Sequence, residues 1–220
     1  MAQPQQIQID VQQLFATPVV IMKLPDAAGL NAALKPAILA RAEWAPSNDH
    51  SNLGGWQSTW DIADWGGAAM ARLLEVAKGA ASRLTARRAD GQPAGVTWAH
   101  NAWANVNRRG DANEAHTHPG SVWSLVYWVD DGGAAADPAL GGAFEVHDPR
   151  GVAPAMLAPD LVPAVPGGPS FGASELVQPT AGDMMMFPSW VSHSVRPYRG
   201  DGVRISIAIN LWPAGGPRAS

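Results

Sequence analysis

The chain has no cysteine among its 220 residues. Disulfides, thiolate-bound zinc and a cysteine nucleophile are therefore excluded, and any metal must be held by His, Asp or Glu. No run of about 18 apolar residues occurs, so no membrane-spanning helix is expected. The opening MAQPQQIQID lacks a basic stretch followed by an apolar one, the mark of a secretory signal. Charge of one sign is missing too. The formal net charge is −4 with no block of like charges, which offers little to nucleic acid or to an anionic membrane surface. A cytoplasmic protein without nucleic-acid or membrane partners is the expectation.

What is present is apolar and rich in tryptophan: 46% of residues are hydrophobic and ten are Trp. That suffices to bury a core of ordinary size, and 1–220 reads as one domain. Residues 14–24, LFATPVVIMKL, read as a strand ending at Pro25 and Asp26. Leu30, Leu34, Ile38 and Leu39 recur at helical spacing over 26–44, with Pro36 inside. A polar loop from Ser47 to Ser58 ends in GGWQS. Met70, Leu73, Leu74, Val76 and Leu84 mark one face of a helix over 62–89, with Arg87, Arg88 and Gly91 as its stop.

From residue 95 the period changes to that of strands. Strands are expected at 95–107, 123–129, 143–149, 184–188, 192–195 and 204–212. RRGDANEA reads as a polar turn. The Pro- and Gly-rich stretch 150–175 reads as a long loop of the kind that is often functional. The expected fold is mainly β (α+β), a closed or double-sheet jelly roll over 95–212. Residues 1–94 would supply a strand and helices packed outside one sheet. Met184–Met186 and Trp190 read as core.

Three of only six histidines fall in a telling order. His116 and His118 are two residues apart, and residues i and i+2 of a strand share a face. His193 lies in a separate strand segment about 75 residues on, by the same strand-face argument. Two imidazoles from one strand and one from another make three ligands on one side of an ion, with open positions opposite. Imidazole suits iron, zinc, copper or nickel, so the donor type alone does not choose the metal. Each histidine taken singly would read as a surface or satisfied core residue; the combination carries the reading. His50 and His100 stand isolated, while His147 and Asp148 read as turn and supporting residues. Arg204, Ser206, Ala208 and Asn210 form the polar or small face of the last strand, opposite Ile205, Ile207, Ile209 and Leu211. In a simple sandwich the arginine face would meet solvent. In a barrel covered by helices Arg204 would project inward, where a guanidinium is stable only when paired, and its planar fork matches a carboxylate.

The blocks HTHPGS, WSLVYW, GGAFEVHDPR, GDMMMFPSWVSHSVRP and GVRISIAIN together resemble the 2-oxoglutarate/iron(II)-dependent oxygenases. More narrowly, they resemble a bacterial and phage family of such enzymes with unassigned substrate. The resemblance implies a double-stranded β-helix with Fe(II) inside and 2-oxoglutarate as cosubstrate. It implies hydroxylation of an organic substrate by dioxygen, with release of succinate and carbon dioxide. His116 and His193 take the places of the family's two histidines. Arg204, with Ser206 beside it, takes that of the residue holding the far carboxylate of 2-oxoglutarate. His118 stands where most members carry Asp or Glu. Glu114 or Asp111 is the alternative second ligand, although neither has the i+2 relation to His116. Asn105, Tyr127 and Asn210 are further candidates to line the cosubstrate pocket, and 150–175 and GGWQS to cover the substrate. No catalytic side chain beyond the metal ligands is expected. A homodimer through a sheet edge or the N-terminal strand is a further expectation. Two other readings compete: a three-histidine cupin-type dioxygenase that needs no 2-oxoglutarate, and a non-enzymatic metal- or ligand-binding barrel.

Overall fold

Alternation of apolar with polar or small residues, strand after strand, builds two antiparallel sheets that face each other. The computed structural model describes residues 15–48, 50–151 and 172–215. The strands are β1 (Val20–Lys23), β2 (Asn52–Leu53), β3 (Trp56–Gln57), β4 (Trp98–Asn107), β5 (Ala112–His116), β6 (Trp123–Asp130), β7 (Phe144–His147), β8 (Ser174–Val177), β9 (Asp183–Pro188), β10 (His193–Val195) and β11 (Arg204–Pro213). The helices are α1 (Ala27–Ala42), α2 (Ile62–Trp65) and α3 (Gly67–Leu84). The major sheet has the order β1-β9-β6-β11-β4-β3, and the minor sheet β2-β5-β10-β7-β8. Both are antiparallel in every strand pairing among the described residues.

β11 sorts the two faces of the major sheet. Ile205, Ile207, Ile209 and Leu211 pack outward against Leu30, Leu34 and Ile38 of α1 and Met70, Leu73, Ala77 and Ala81 of α3. Each large aliphatic side chain so buried contributes about 1.5–3 kcal/mol. That layer holds the four alternate residues, Arg204, Ser206, Ala208 and Asn210, inward. Between the sheets lies a second apolar cluster of Val126, Trp128, Phe144, Met185, Phe187 and Val191. Met184 and Met186 join the outer layer and Met185 the inner one, so β9 is covered on both faces, as expected of a core run. No helix of the described residues is long and apolar enough to cross a membrane.

Four local expectations are corrected. RRGDANEA is not all turn: Ala112–His116 forms β5, paired on one side with β10 and on the other with β2. Its Ala, Asn and Glu have little strand propensity, and tertiary pairing overrides that weak preference. The helix over 62–89 breaks at Gly66–Gly67, where Gly67 takes φ 62°, and ends at Leu84. Thr85 turns away; its hydroxyl donates to the Ala81 carbonyl at 2.6 Å and accepts the Trp123 indole N–H at 2.8 Å. Trp190 is 58% exposed and not core. Of the expected loop 150–175, residues 152–171 lie outside the described residues, and Ser174 opens β8.

Candidate metal centre

β5 and β10 run side by side with His116 directly opposite His193. His118 lies two residues beyond the end of β5, where its backbone N–H is held by the Ser189 carbonyl at 2.9 Å. The three rings converge, with centroids 4.3 Å apart for His116–His193 and 5.0 Å for each pair with His118. One nitrogen from each ring lies within 4.8 Å of the others. These three histidines are the group of metal-binding type among the described residues. Glu114 is exposed on β5 and Asp111 caps the preceding turn, accepting the Arg108 N–H at 2.7 Å. Neither carboxylate joins the cluster.

The rings are oriented from behind. His116 Nδ1 donates to the Glu114 carbonyl at 2.7 Å, and His193 Nδ1 to the Val191 carbonyl at 3.0 Å. A carbonyl accepts only, so Nδ1 carries the proton in both and the Nε2 lone pair is free for a metal. Phe144 stacks on His193 at 5.0 Å, and Phe187 meets it edge-on at 4.8 Å. Burial, reinforced by the neighbouring imidazoles, pushes His118 and His193 down to about 3 and lowers His116 as well. All three are therefore neutral at neutral pH, as a ligand must be. The donor set fits a borderline divalent transition ion.

Arg204 projects inward as expected and is 1% exposed. Nη1 donates to Asn107 Oδ1 at 3.3 Å, while Nε and Nη2 have no partner among the described residues. Nε and Nη2 form one edge of the guanidinium, the edge that grips a carboxylate with two parallel bonds. Burial lowers its pKa to about 10, so it stays charged at pH 7. Gly142 makes room for the side chain: at φ 70° it carries no Cβ, and one placed there would sit 2.9 Å from Arg204 Cδ. A buried cation with an open bidentate edge fits the far carboxylate of a dicarboxylic acid.

Ser206 is buried beside it, opposite Asn105 of β4 and Trp128 of β6. Asn105 shares the inward parity of Trp103 and Asn107. Asn210 is also inward, and its Oδ1 accepts the Ser124 hydroxyl at 2.8 Å. Tyr127 corrects the sequence reading. Trp123, Leu125, Tyr127 and Val129 face the helices, and the Tyr127 hydroxyl donates to Asn31 Oδ1 of α1 at 2.6 Å. The inward residues of β6 are Ser124, Val126 and Trp128. β6 is apolar on both faces, so its sequence holds no alternation from which to choose.

A cavity of about 370 Å³ opens beside His116 and His118, walled by Trp60, Trp103 and Trp212 and by the amides of Gln57, Asn101 and Asn210. Gln57 brings part of GGWQS to the wall. His50, isolated in the sequence, also lines it; β2 and β3 carry the loop there, a signal that spacing alone does not hold. Among the described residues no Asp, Glu, Lys or Arg lines the cavity, and Asn101 Oδ1 is buried without a partner. His147 sits on the far face of β7, bonded to the Ser194 hydroxyl at 3.2 Å, and plays no part in the centre.

The profile of a family described as "Putative 2OG-Fe(II) oxygenase" matches residues 101–210, a span holding all three histidines, Arg204 and Asn210. No curated protein matches the chain. Among solved structures, a Pseudomonas putida prolyl-4-hydroxylase is similar at 19% identity and TM-score 0.61, over 92% of this chain and 96% of that one. AviO1 from Streptomyces viridochromogenes is similar at 18% identity and TM-score 0.59, over 93% of each chain. HygX from Streptomyces hygroscopicus, solved with nickel and 2-oxoglutarate bound, is similar at 12% identity and TM-score 0.58, over 93% of this chain and 86% of that one. At these identities the likeness is one of fold, the double-stranded β-helix.

Proposed function

The chain belongs to the 2OG-Fe(II) oxygenase family, and on that premise we propose that it hydroxylates an uncharged organic substrate, holding Fe(II) with His116, His118 and His193. Bound Fe(II), with 2-oxoglutarate and dioxygen, supplies the oxidising power, and the cosubstrate leaves as succinate and carbon dioxide. The observation that carries the reading is one lumen with three converging neutral imidazoles and a buried arginine whose carboxylate-binding edge is open.

The side chains have separate tasks. His116 and His193 present Nε2 because backbone carbonyls fix their Nδ1 protons. With all three imidazoles on one side, an ion held by them would keep coordination positions free for the cosubstrate. Arg204 takes the far carboxylate through Nε and Nη2, Ser206 adds a hydroxyl donor, and Asn105 and Asn210 complete the polar wall. Trp60, Trp103 and Trp212 give the cavity where substrate would sit an apolar wall. No described side chain on that wall offers a full opposite charge, so the substrate moiety is read as uncharged. No acid or base side chain is needed, since the protein supplies geometry and a shaped cavity.

Protein purified anaerobically should hold one equivalent of iron, and His116→Ala should lose it. Turnover should yield succinate in step with oxygen consumed. Oxygen uptake without succinate would replace this reading with the three-histidine dioxygenase that needs no 2-oxoglutarate. No bound transition metal, with metal affinity unchanged in His116→Ala, would leave only a binding barrel. We further propose that the chain is one domain working in a bacterial cytoplasm. A homodimer would form through β1, an edge strand with exposed Val19 and Ile21 beside it or on it; sedimentation tests that association.

A further inference from the structure

Trp128 is the largest fully buried side chain among the described residues. Its indole Nε1–H has no partner among the described residues. Indole nitrogen only donates, so nothing but an acceptor can satisfy it. The contrast with other tryptophans is informative. Trp56 donates to the Ala45 carbonyl at 2.9 Å, Trp65 to Asp61 at 3.0 Å, Trp98 to Ser82 at 3.0 Å and Trp123 to Thr85 at 2.8 Å. Four indoles are thus paired, whereas Trp128 Nε1 is the fully buried indole nitrogen without a partner among the described residues.

The place is next to the arginine. Trp128 lies opposite Ser206 across the β6–β11 pairing. Arg204 is two residues before Ser206 on the same inward face, just past a register shift between Ile205 and Ser206, and so lies at the same end of the β6–β11 pairing as Trp128. Both border β7: Trp128 shares the inner apolar cluster with Phe144, and Arg204 packs over Gly142. The candidate acceptor nearby, Asn107 Oδ1, is already taken by Arg204 Nη1. Three buried N–H donors on this stretch thus have no hydrogen-bond partner among the described residues: Arg204 Nε, Arg204 Nη2 and Trp128 Nε1.

We propose that Trp128 donates its indole N–H to the far carboxylate of the 2-oxo acid, completing a donor set with Arg204. This rests on the reading of Arg204 above and adds a selectivity element to it. A carboxylate presents about four lone-pair sites, so two bonds to Arg204 leave room for an indole donor. The pocket then rewards 2-oxo acids that carry a second carboxylate at this depth over those that lack one.

The test avoids turnover by using Ni(II)-loaded protein without dioxygen. Calorimetric titration with 2-oxoglutarate and with oxalate, which reaches the metal alone, is made for the wild type and Trp128→Phe. The phenyl ring keeps most of the packing and removes the donor. Affinity for 2-oxoglutarate should fall roughly tenfold or more, the scale of one hydrogen bond to a charged group, while oxalate affinity stays the same. In ¹⁵N-indole spectra of the wild type, the Trp128 N–H should shift downfield on adding 2-oxoglutarate and not on adding oxalate. Unchanged 2-oxoglutarate affinity in Trp128→Phe overturns the proposal, as does an indole resonance that stays put when 2-oxoglutarate binds; Arg204 is untouched by either. Should Trp128→Phe not fold, the wild-type spectrum decides alone. A wild type that binds oxalate but not 2-oxoglutarate removes the reading of Arg204, and this proposal with it.

Discussion

Replacing Arg204 by Met should make the metal-free protein more stable and the cosubstrate site nearly useless. The guanidinium is buried with Nε and Nη2 unpaired. Each such group costs about 1–3 kcal/mol in lost solvation. Removing both recovers about 2–6 kcal/mol, from which the lost bond of the charged guanidinium to Asn107, about 1.5–3 kcal/mol, must be subtracted. Met fills much of the same volume, and exchanging buried ionic groups for apolar ones is often stabilising by about 1–4 kcal/mol. A net gain of about 1–4 kcal/mol corresponds to a rise of roughly 3–12 °C in Tm for a chain of this length. Binding moves the other way. Two charge-assisted bonds are worth about 1.5–3 kcal/mol each, so 2-oxoglutarate affinity should fall by at least about a hundredfold. Thermal unfolding of the metal-free variant, paired with calorimetry on the Ni(II)-loaded one, measures both signs. Destabilisation by more than about 1 kcal/mol, the size of one ordinary hydrogen bond, would refute the reasoning, because it would mean that the arginine is structurally paired.

Three further outcomes are expected. Gly142→Ala should weaken 2-oxoglutarate binding without touching the metal, since its Cβ would collide with the Arg204 side chain from a backbone at φ 70°; the strain should cost about 1–3 kcal/mol of stability in urea unfolding. Metal-free protein should lose stability below pH 6.5. His118 and His193 are held neutral down to about pH 3 when folded but protonate near 6.5 when unfolded, so the unfolded state gains protons first and each costs about 1.4 kcal/mol per pH unit across that window; a flat stability curve from pH 6.5 to 5 would contradict it. Glu145 acts in the opposite sense. Burial alone raises its pKa, but donors from Ser174, Ser194 and Arg196 outweigh that and leave it lowered, so its contribution is present above about pH 4.5 and lost as pH falls; Glu145→Gln should flatten that acid limb of the unfolding curve.

The parts of this architecture that the sequence discloses are those written in parity. β11 alternates Ile with Arg, Ser, Ala and Asn, so its two faces are legible from the residue order alone; the His-x-His pair converges too, although His118 lies past the end of β5. β6 has seven of eight residues buried. With both faces greasy, parity cannot say which points inward; the pattern admits Tyr127 to the lumen, where Trp128 in fact lies. β5 is hidden for the opposite reason. Ala-Asn-Glu-Ala has turn-like composition, and only the neighbours β10 and β2 make it a strand. His50 and Trp60 flank β2 and β3, which pair with β5 and β4 and so carry them to the cavity, a placement set by tertiary contacts and therefore absent from local pattern.

On the proposed reading, His118 stands where the resembled family carries a carboxylate, which would change the electrostatics of the lumen as a whole. Three neutral imidazoles would leave a bound divalent ion at +2, and Arg204 adds +1. Glu145, the buried acid nearest in sequence to the inner cluster, points to the outer face of β7, where Ser174, Ser194 and Arg196 satisfy it. Of the residues identified in the lumen, none supplies negative charge, so the dianionic cosubstrate must do so. Metal and 2-oxoglutarate should then bind with strong mutual dependence, each raising the other's affinity by the same factor. His118→Asp places a carboxylate at the ion and lowers the centre to +1. The variant should hold the metal well by itself and show weaker coupling to 2-oxoglutarate. Calorimetry of Ni(II) with and without 2-oxoglutarate, on the wild type and His118→Asp, measures that coupling. Equal coupling in the two proteins would mean that the imidazole is a geometric substitute only, and that the charge of the second ligand does not govern cosubstrate binding.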